Sequence, residues 1–472
     1  MQRKTKIVAT LGPATDEPDV LEAMIAGGLD CARVNCSHGT TEQQVRRASA
    51  VRAAAHRARR PVGLLFDLQG PKLRLSGDIQ ERWVQAGDAV IFTCGPSSLV
   101  SDSVAVDFRG FAGLVTDRSE IIVGDGVPRF AVGGRSDGAV LAQALTAGPL
   151  APRKGINVTY AQPDLPAITT KDASDLATAV AVGADFVALS FVRSAADVED
   201  LRGRLQAAGS RALIVAKIET LEGYENLDGI IAGADGVMVA RGDFGVTAGL
   251  ARVPLMQKDI IARATQAGKF VITATQMLES MIHAPEPTRA EVADVANAVI
   301  DGTSAVMLSA ETGVGDHPVE AVQAMAQIAE AAEESPVFHG RARAGGPGHA
   351  SSSAAVMHAA VGLAEELAAT ALVVPTTTGG AVRACAKFRP RTPVLALTYD
   401  ALVATQLTVE WGVRPVVAEA DEPGDEHDEL SQVLAIAQEA GPLVAGDRVV
   451  LTGGPRAHAP GETNVIVVRE LS

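Results

Sequence analysis

The chain has 472 residues, with 41 Lys+Arg against 56 Asp+Glu and a formal charge of −15. Hydrophobic residues make up 47% and aromatics only 3%, which describes aliphatic globular cores in roughly two to four domains at about 150 residues each. The acid excess argues against a nucleic-acid partner, because phosphate-backbone binding needs a basic face. It looks equally hostile to a handler of small anions.

No apolar run approaches the roughly 18–20 residues of a membrane helix, so no membrane partner is expected. The start, Met1-Gln2-Arg3-Lys4, is basic, but the apolar stretch after it stops at Gly12-Pro13, too short for a signal peptide. Cys31, Cys36, Cys94 and Cys385 show neither Cys-x-x-Cys spacing nor the density of a disulfide scaffold. They read as free thiols in a reducing cytoplasmic setting. Cys36 lies near a polar motif; packing is its plainer role, reactivity the alternative.

In chain order, short β-branched runs alternate with amphipathic stretches, the cadence of βα units around a parallel sheet. The predicted strands are Lys6–Ala9, Cys31–Val34, Val62–Phe66, Phe186–Leu189, Leu213–Ala216, Gly236–Val239, Phe270–Thr273 and Ala305–Leu308. About eight such strands close a (β/α)8 TIM barrel. Between the last two, Thr288-Arg289-Ala290-Glu291 has capping-box form, Val292, Val295, Ala296 and Val299 follow at helical spacing, and Gly302 supplies a stop. Ile260–Gly268 ends in the same way.

From Gly70-Pro71 to about Asp164 the helical period disappears. Strand-like pieces at Ala89–Thr93, Val104–Val106, Glu120–Val123 and Arg129–Val132 predict a small inserted β domain. Arg341–Ser353 reads as a linker. Beyond it, a helix at Ala354–Ala369 and strands at Ala371–Val374, Val394–Thr398, Val413–Val417 and Arg448–Thr452 predict a C-terminal α/β domain. The expected division is residues 1–70 and 164–341 for the barrel, 71–163 for the insert and 342–472 for the C-terminal domain.

Reactive groups of such barrels project from the C-terminal strand ends. Those ends carry Arg33, Asn35 and Ser37-His38-Gly39, then Asp67, Lys217-Ile218-Glu219, Arg241-Gly242-Asp243, Thr275-Gln276, and finally Ser309 and Glu311. Lys217 and Glu219 stand at i and i+2 and so face one way along a strand; a structural ion pair is the alternative. Asp243, expected at the end of the next strand, adds a second carboxylate, and two carboxylates suit Mg²⁺ when substrate and waters complete the octahedron. A lysine beside that ion suits a phosphoryl group in transfer. Arg33 offers a fork for phosphate oxygens or a salt bridge. His38 is read as structural or nucleotide-contacting rather than a base. A P-loop, a zinc helix and a nucleophile elbow are all absent from the sequence.

With Thr5–Thr15, Arg33–Gly39, Ala216–Glu219, Ala240–Asp243, Ala274–Met281, Phe388-Arg389-Pro390 and Thr463-Asn464 in view, the chain resembles the pyruvate kinase family along essentially its whole length. The resemblance implies a barrel domain, a β lid and a C-terminal domain with an effector site, usually in a homotetramer. It implies phosphoryl transfer from phosphoenolpyruvate to ADP, giving pyruvate and ATP as the last step of glycolysis, with Mg²⁺ or Mn²⁺ as cofactor. Carried over by position, Arg33 holds the substrate phosphate and Lys217 stabilises the phosphoryl in flight. Glu219 and Asp243 bind Mg²⁺, the Gly242 and Asp243 amides meet the substrate carboxylate, and Thr275 lies on the route that protonates the enolate. Asn35, Ser37, His38, Arg74 and Lys171 line the ADP side.

Two departures stand out against that resemblance. Potassium-dependent members hold K⁺ with the equivalents of Asn35, Ser37, Asp67 and the Leu68 carbonyl, and follow them with a glutamate where this chain has Lys72. Repulsion between two cations, of order 1–4 kcal/mol at 4 Å, predicts that Lys72 replaces K⁺ and that K⁺ is not required; a solvent-directed Lys72 is the alternative. The family's bisphosphate-activated members carry an Arg and a second Ser after a hydroxyl-rich loop. Here Thr376-Thr377-Thr378-Gly379-Gly380-Ala381 lacks both, so a phosphorylated effector with one phosphate, AMP or a sugar phosphate, is expected. The alternatives to a kinase are a Mg-dependent aldolase-like lyase on the same type of barrel, and a non-catalytic sensor, which loss of Lys217 or Asp243 would favour.

Overall fold

The computed structural model describes residues 3–94, 103–124, 126–136, 138–159, 166–338, 352–418, 429–440, 443–453 and 463–471. Eight parallel strands close a barrel: Lys6–Thr10, Cys31–Asn35, Gly63–Asp67, Phe186–Leu189, Leu213–Ile218, Gly236–Ala240, Phe270–Ala274 and Ala305–Leu308. The last pairs back onto the first with Lys6 opposite Ala305. These strands are aliphatic and buried on both faces, as a parallel sheet wrapped in helices requires. Val8, Leu65, Val215, Met238 and Ile272 fill the barrel interior, with Phe186 and Phe270 edge-on at 5.8 Å. Ile7, Ala9, Leu64 and Phe66 face the helical layer.

The expected helix signals act as read. Thr288 Oγ1 accepts from the Glu291 amide at 3.3 Å and Glu291 returns a carboxylate to the Thr288 amide at 2.8 Å. Gly302 closes that helix, Arg289–Asp301, at φ 95°. Gly12 explains part of the Thr5–Thr15 motif: a Cβ there would lie 2.0 Å from the Gly313 carbonyl, so only glycine lets this loop pass the turn after the eighth strand.

Between the third and fourth barrel strands the chain builds a separate seven-stranded sheet and a two-stranded companion. Its core is its own, with Phe92 and Phe130 edge-on at 5.1 Å and Phe111 beside them. The four expected pieces belong to it, but so do Leu73–Arg74, Ala139–Ala144 and Gly155–Val158, with Arg82–Val84 and Gly148–Leu150 forming the companion. One helical turn, Phe111–Leu114, was not expected there, being too short to show a period.

The C-terminal domain opens on the helix Ser352–Glu366, so Ser352 and Ser353 are helical rather than linker; residues 341–351 lie outside the described residues. The helix stops before Ala369 because Ala368 turns left-handed at φ 47° and the Ala369 amide reaches back to Ala364 at 2.8 Å. Strands Val413–Val417, Val394–Thr398, Ala371–Pro375 and Arg448–Gly453 run parallel, and Val465–Glu470 adds an antiparallel edge that the sequence reading lacked. The expected boundaries at 163/164 and 341/342 also fall outside the described residues.

This domain docks against the N-terminal ends of the barrel strands. Lys6 Nζ donates to the Val413 carbonyl at 2.7 Å, Thr405 Oγ1 to Asp185 at 2.6 Å, and Val409 plugs the barrel interior from below. The opposite rim is thereby left to the lid. No helix among the described residues is long and apolar enough to cross a membrane.

Candidate active site

Four charged side chains from three strand ends meet at that rim. Asp67, last residue of the third strand, is buried and accepts from Arg33 Nε at 2.7 Å and Lys217 Nζ at 3.1 Å. Arg33 Nη1 also donates to Thr10 Oγ1 at 2.8 Å, which fixes the plane of the fork. The fifth strand runs through Ile218, so Lys217 is a strand residue, and its Nζ lies 3.2 Å from Glu219 Oε1. The i, i+2 expectation thus holds as geometry. Burial pushes the Asp67 carboxyl up, but the Lys217 and Arg33 charges outweigh it and hold it below the ordinary range. Burial works against the Lys217 ammonium, but Asp67 and Glu219 outweigh it, so Lys217 is a cation at neutral pH.

Asp243 is not at a strand end. The sixth strand stops at Ala240 and Asp243 sits in the first turn of the helix Arg241–Ala248, where the exposed amides of a helix start favour a carboxylate. Burial, assisted by repulsion from Asp243, pushes the Glu219 carboxyl up despite Lys217 and the Phe191 amide, which donates to Glu219 Oε2 at 2.7 Å. Lys72, from the start of the lid, places its Nζ 2.8 and 3.0 Å from the two Asp243 oxygens and 5.9 Å from the Phe191 ring. Its ammonium is thus directed at a carboxylate read as a magnesium ligand, while the carboxylate of the potassium set, Asp67, is held by Lys217 and Arg33. Three cations, Arg33, Lys72 and Lys217, balance three carboxylates here, Asp67, Glu219 and Asp243, so this rim is a charge-compensated network.

On the nucleotide side, Asn35 Oδ1 accepts from the Ser37 amide at 3.0 Å and the Asn35 carbonyl from the His38 amide at 3.3 Å, forming a tight turn. Burial lowers the His38 pKa, and the charges of Arg74, Arg33 and Lys171 lower it further, so these groups share one positive field. Lys171 donates to the Cys36 carbonyl at 2.6 Å and pairs with Asp175 at 2.5 Å; Arg74 Nη1 donates to the Arg153 carbonyl at 3.1 Å. Burial drives the Cys36 thiol far up, which fits packing rather than reactivity.

Thr275 and Gln276 are left-handed at φ 71° and 53°. Thr275 Oγ1 accepts from the Gly242 amide at 2.8 Å, joining two residues read as substrate contacts. Arg241 holds the turn: it donates to the carbonyls of Thr275 at 2.7 Å, Gln276 at 3.1 Å and Ala274 at 3.3 Å, and pairs with Asp294 at 2.7 Å. Glu311, read as a rim group, is wholly buried and accepts from the Ser309 and Leu278 amides at 2.6 and 3.2 Å, so it braces backbone. Ser190 was missed. Lys217 donates to its hydroxyl at 2.7 Å and that hydroxyl donates to the Leu68 carbonyl at 2.7 Å. Its position directly after the fourth strand was the available signal.

In the C-terminal domain the Gly379 amide, at φ 81°, donates to Thr376 Oγ1 at 2.9 Å, closing the turn that carries Thr377 and Thr378, and Gly380 begins the helix that follows, Gly380–Ala386.

The closed eight-stranded barrel with charged side chains gathered at its C-terminal rim places the molecule in the architecture of the (β/α)8 enzymes. Residues 2–322 match the family profile described as "Pyruvate kinase, barrel domain", and residues 354–469 match "Pyruvate kinase, alpha/beta domain". "Pyruvate kinase 2" of Synechocystis sp. is 39% identical over 476 residues, covering 99% of this chain and 79% of the relative. The pyruvate kinases of Methylorubrum extorquens and Clostridium acetobutylicum are 38% and 36% identical, covering 98% and 99% of this chain and 96% and 99% of theirs. The chain belongs to the pyruvate kinase family of phosphotransferases. A lyase of the aldolase kind is not supported, since both profiles and these relatives are pyruvate kinases.

Proposed function

We propose that the protein transfers the phosphoryl group of phosphoenolpyruvate to ADP in the cytoplasm. The bond between phosphorus and the enol oxygen breaks, a bond to a β-phosphate oxygen of ADP forms, and the enolate takes a proton to leave pyruvate. The buried set of Arg33, Asp67, Lys217 and Glu219 carries this assignment. Asp67 orients both cations, so Arg33 presents a fixed fork to the phosphate and Lys217 a fixed charge to the phosphoryl in transit. The Asn35–His38 turn with Arg74 and Lys171 supplies the positive field for ADP. Thr275, whose hydroxyl accepts from the Gly242 amide, is assigned to the route that protonates the enolate.

Glu219 and Asp243 fit Mg²⁺ or Mn²⁺: both are hard oxygen donors, and their mutual repulsion is what a divalent ion relieves. Bound there, the ion neutralises charge on the transferring phosphoryl. Replacing Lys217 with Ala should lower ADP-dependent pyruvate formation about 10²- to 10³-fold, as loss of one transition-state donor does; activity within threefold of the parent overturns the assignment.

Lys72 serves as the resident monovalent cation of this rim, so K⁺ is not required. The motivation is the lysine that stands at position 72 where K⁺-dependent members have a glutamate, and the repulsion a second cation meets nearby; its ammonium rests on Asp243, while Asp67 is held by Arg33 and Lys217. Activity should be equal in Na⁺ and K⁺ buffers, and Lys72→Glu should make it K⁺-dependent. A parent enzyme that needs K⁺ sinks the idea. The Thr376–Gly380 turn is assigned to an effector with one phosphate on the strength of its hydroxyls and its left-handed glycine; the homotetramer is carried over from the family resemblance alone.

A further inference from the structure

Of Arg33, Lys72 and Lys217, only Lys217 makes its shortest contact with a neutral group. Its Nζ donates to Ser190 Oγ at 2.7 Å, against 3.1 Å to Asp67 Oδ1, and pairs with Glu219 Oε1 at 3.2 Å. An ammonium has three N–H groups. Ser190 and Asp67 take two of them, and the third is left for an oxygen that enters the site.

The Ser190 hydroxyl is itself fixed. A carbonyl only accepts and an ammonium only donates, so the Ser190 proton goes to the Leu68 carbonyl at 2.7 Å and its lone pair faces Lys217. Its other neighbour, Asp67 Oδ1 at 3.5 Å, is at the edge of reach. The side chain is buried and has little room to swing, because Gly70 passes so close that a Cβ there would lie 2.8 Å from Ser190 Cβ. The next residue, Phe191, is left-handed at φ 54°, which turns its amide onto Glu219 Oε2 at 2.7 Å. One turn after the fourth strand thus holds Lys217 by a hydroxyl and Glu219 by an amide.

We propose that Ser190 is a positioning residue for phosphoryl transfer, its hydroxyl anchoring Lys217 Nζ at one point between Asp67 and Glu219. Two carboxylates on their own draw an ammonium onto themselves, since Coulomb attraction rises as the separation falls. A neutral acceptor holds it without cancelling its charge, so the full charge and one N–H remain for the phosphoryl oxygens. The role rests on the reading of Lys217 as the group that stabilises the phosphoryl in flight.

The test is a double-mutant cycle on kcat for ADP-dependent pyruvate formation, with the parent, Ser190→Ala, Lys217→Ala and the double variant. Ser190→Ala should lower kcat and kcat/KM for phosphoenolpyruvate together by about tenfold, the worth of one hydrogen bond to a charged group, with the KM for ADP unchanged. In the Lys217→Ala background the same change should cost less than twofold, because Ser190 acts only through that lysine. Ser190→Cys, which keeps the shape with a weaker acceptor, should lie between serine and alanine; the cycle is run with it if the alanine variant does not fold. A loss below threefold in Ser190→Ala, or a tenfold loss that recurs without Lys217, overturns the positioning role while leaving Lys217 in place. A Lys217→Ala enzyme within threefold of the parent overturns the reading of Lys217 itself, and this role with it.

Discussion

Replacing Arg241 with methionine removes the clamp on the Thr275–Gln276 turn while keeping a side chain of similar length. Two consecutive residues there, one β-branched, hold φ of 71° and 53°, at roughly 1–2 kcal/mol each for a residue other than glycine. Against that, the guanidinium supplies hydrogen bonds to three successive carbonyls and an ion pair to Asp294. At about 1 kcal/mol net for each carbonyl, the clamp contributes about 3 kcal/mol, similar to the strain it opposes. Without it the turn relaxes and Thr275 Oγ1 leaves its 2.8 Å contact with the Gly242 amide. Saturation curves for phosphoenolpyruvate and ADP, read through coupled NADH oxidation, should show kcat lower by about 10- to 100-fold. The KM for ADP should change little, since Asn35, His38 and Lys171 lie on other elements. Arg241→Lys should recover only part of the rate, because an ammonium cannot fork across three carbonyls. A kcat for Arg241→Met within threefold of the parent, with an unchanged melting temperature, would refute the clamp.

Two other outcomes follow from the charge network. Asp67→Asn leaves Arg33 buried without its ion pair and Lys217 with Glu219 as its remaining paired carboxylate; stability should fall by about 3–5 kcal/mol and kcat with it, measured by urea midpoint and steady-state rate, and a variant as stable as the parent contradicts this. Burial lowers the Lys6 pKa from 10.5 to about 8, with Asp30 opposing the shift. The unfolded chain therefore binds more protons than the folded one between those values, so this group's contribution to stability is complete above about 10.5 and is lost as pH falls through about 8, a span of about 3 kcal/mol. Urea midpoints at pH 7.5 and 9.5 should differ less for Lys6→Met than for the parent; an equal or larger difference rejects it.

The barrel was legible because parallel strands buried on both faces leave continuous aliphatic runs, and Phe186–Leu189 and Ala305–Leu308 coincide with their expected bounds. The lid was legible only as a loss of helical period. Its strands are short and half-exposed, and pieces such as Leu73–Arg74 and Gly148–Leu150 carry too few residues to show alternation. At the site, residue types at strand ends identified Arg33, Asp67, Lys217 and Glu219, but not how they compensate one another. Ser190 and the bracing role of Glu311 were invisible because a hydroxyl and a carboxylate near a strand end look alike whether they meet substrate or backbone. Arg241 looked like one more rim cation for the same reason. Its targets are carbonyls, which no sequence pattern marks.

The basic start of the chain gains its meaning only from the fold. Lys4 Nζ donates to the carbonyls of Pro390 and Arg391 at 2.9 and 2.6 Å and lies 5.1 Å from the Trp411 ring centroid, while Lys6 reaches Val413. Glu333 receives the Lys4 amide at 2.8 Å, tying the same segment to the last barrel helix. These cations are therefore fasteners between barrel and C-terminal domain, and Arg389, 5.0 Å from the same indole, is a third. The overall charge of −15 thus says nothing of local charge: at the rim Arg33, Lys72 and Lys217 stand against Asp67, Glu219 and Asp243, and at the seam Lys4 and Lys6 are directed at carbonyls.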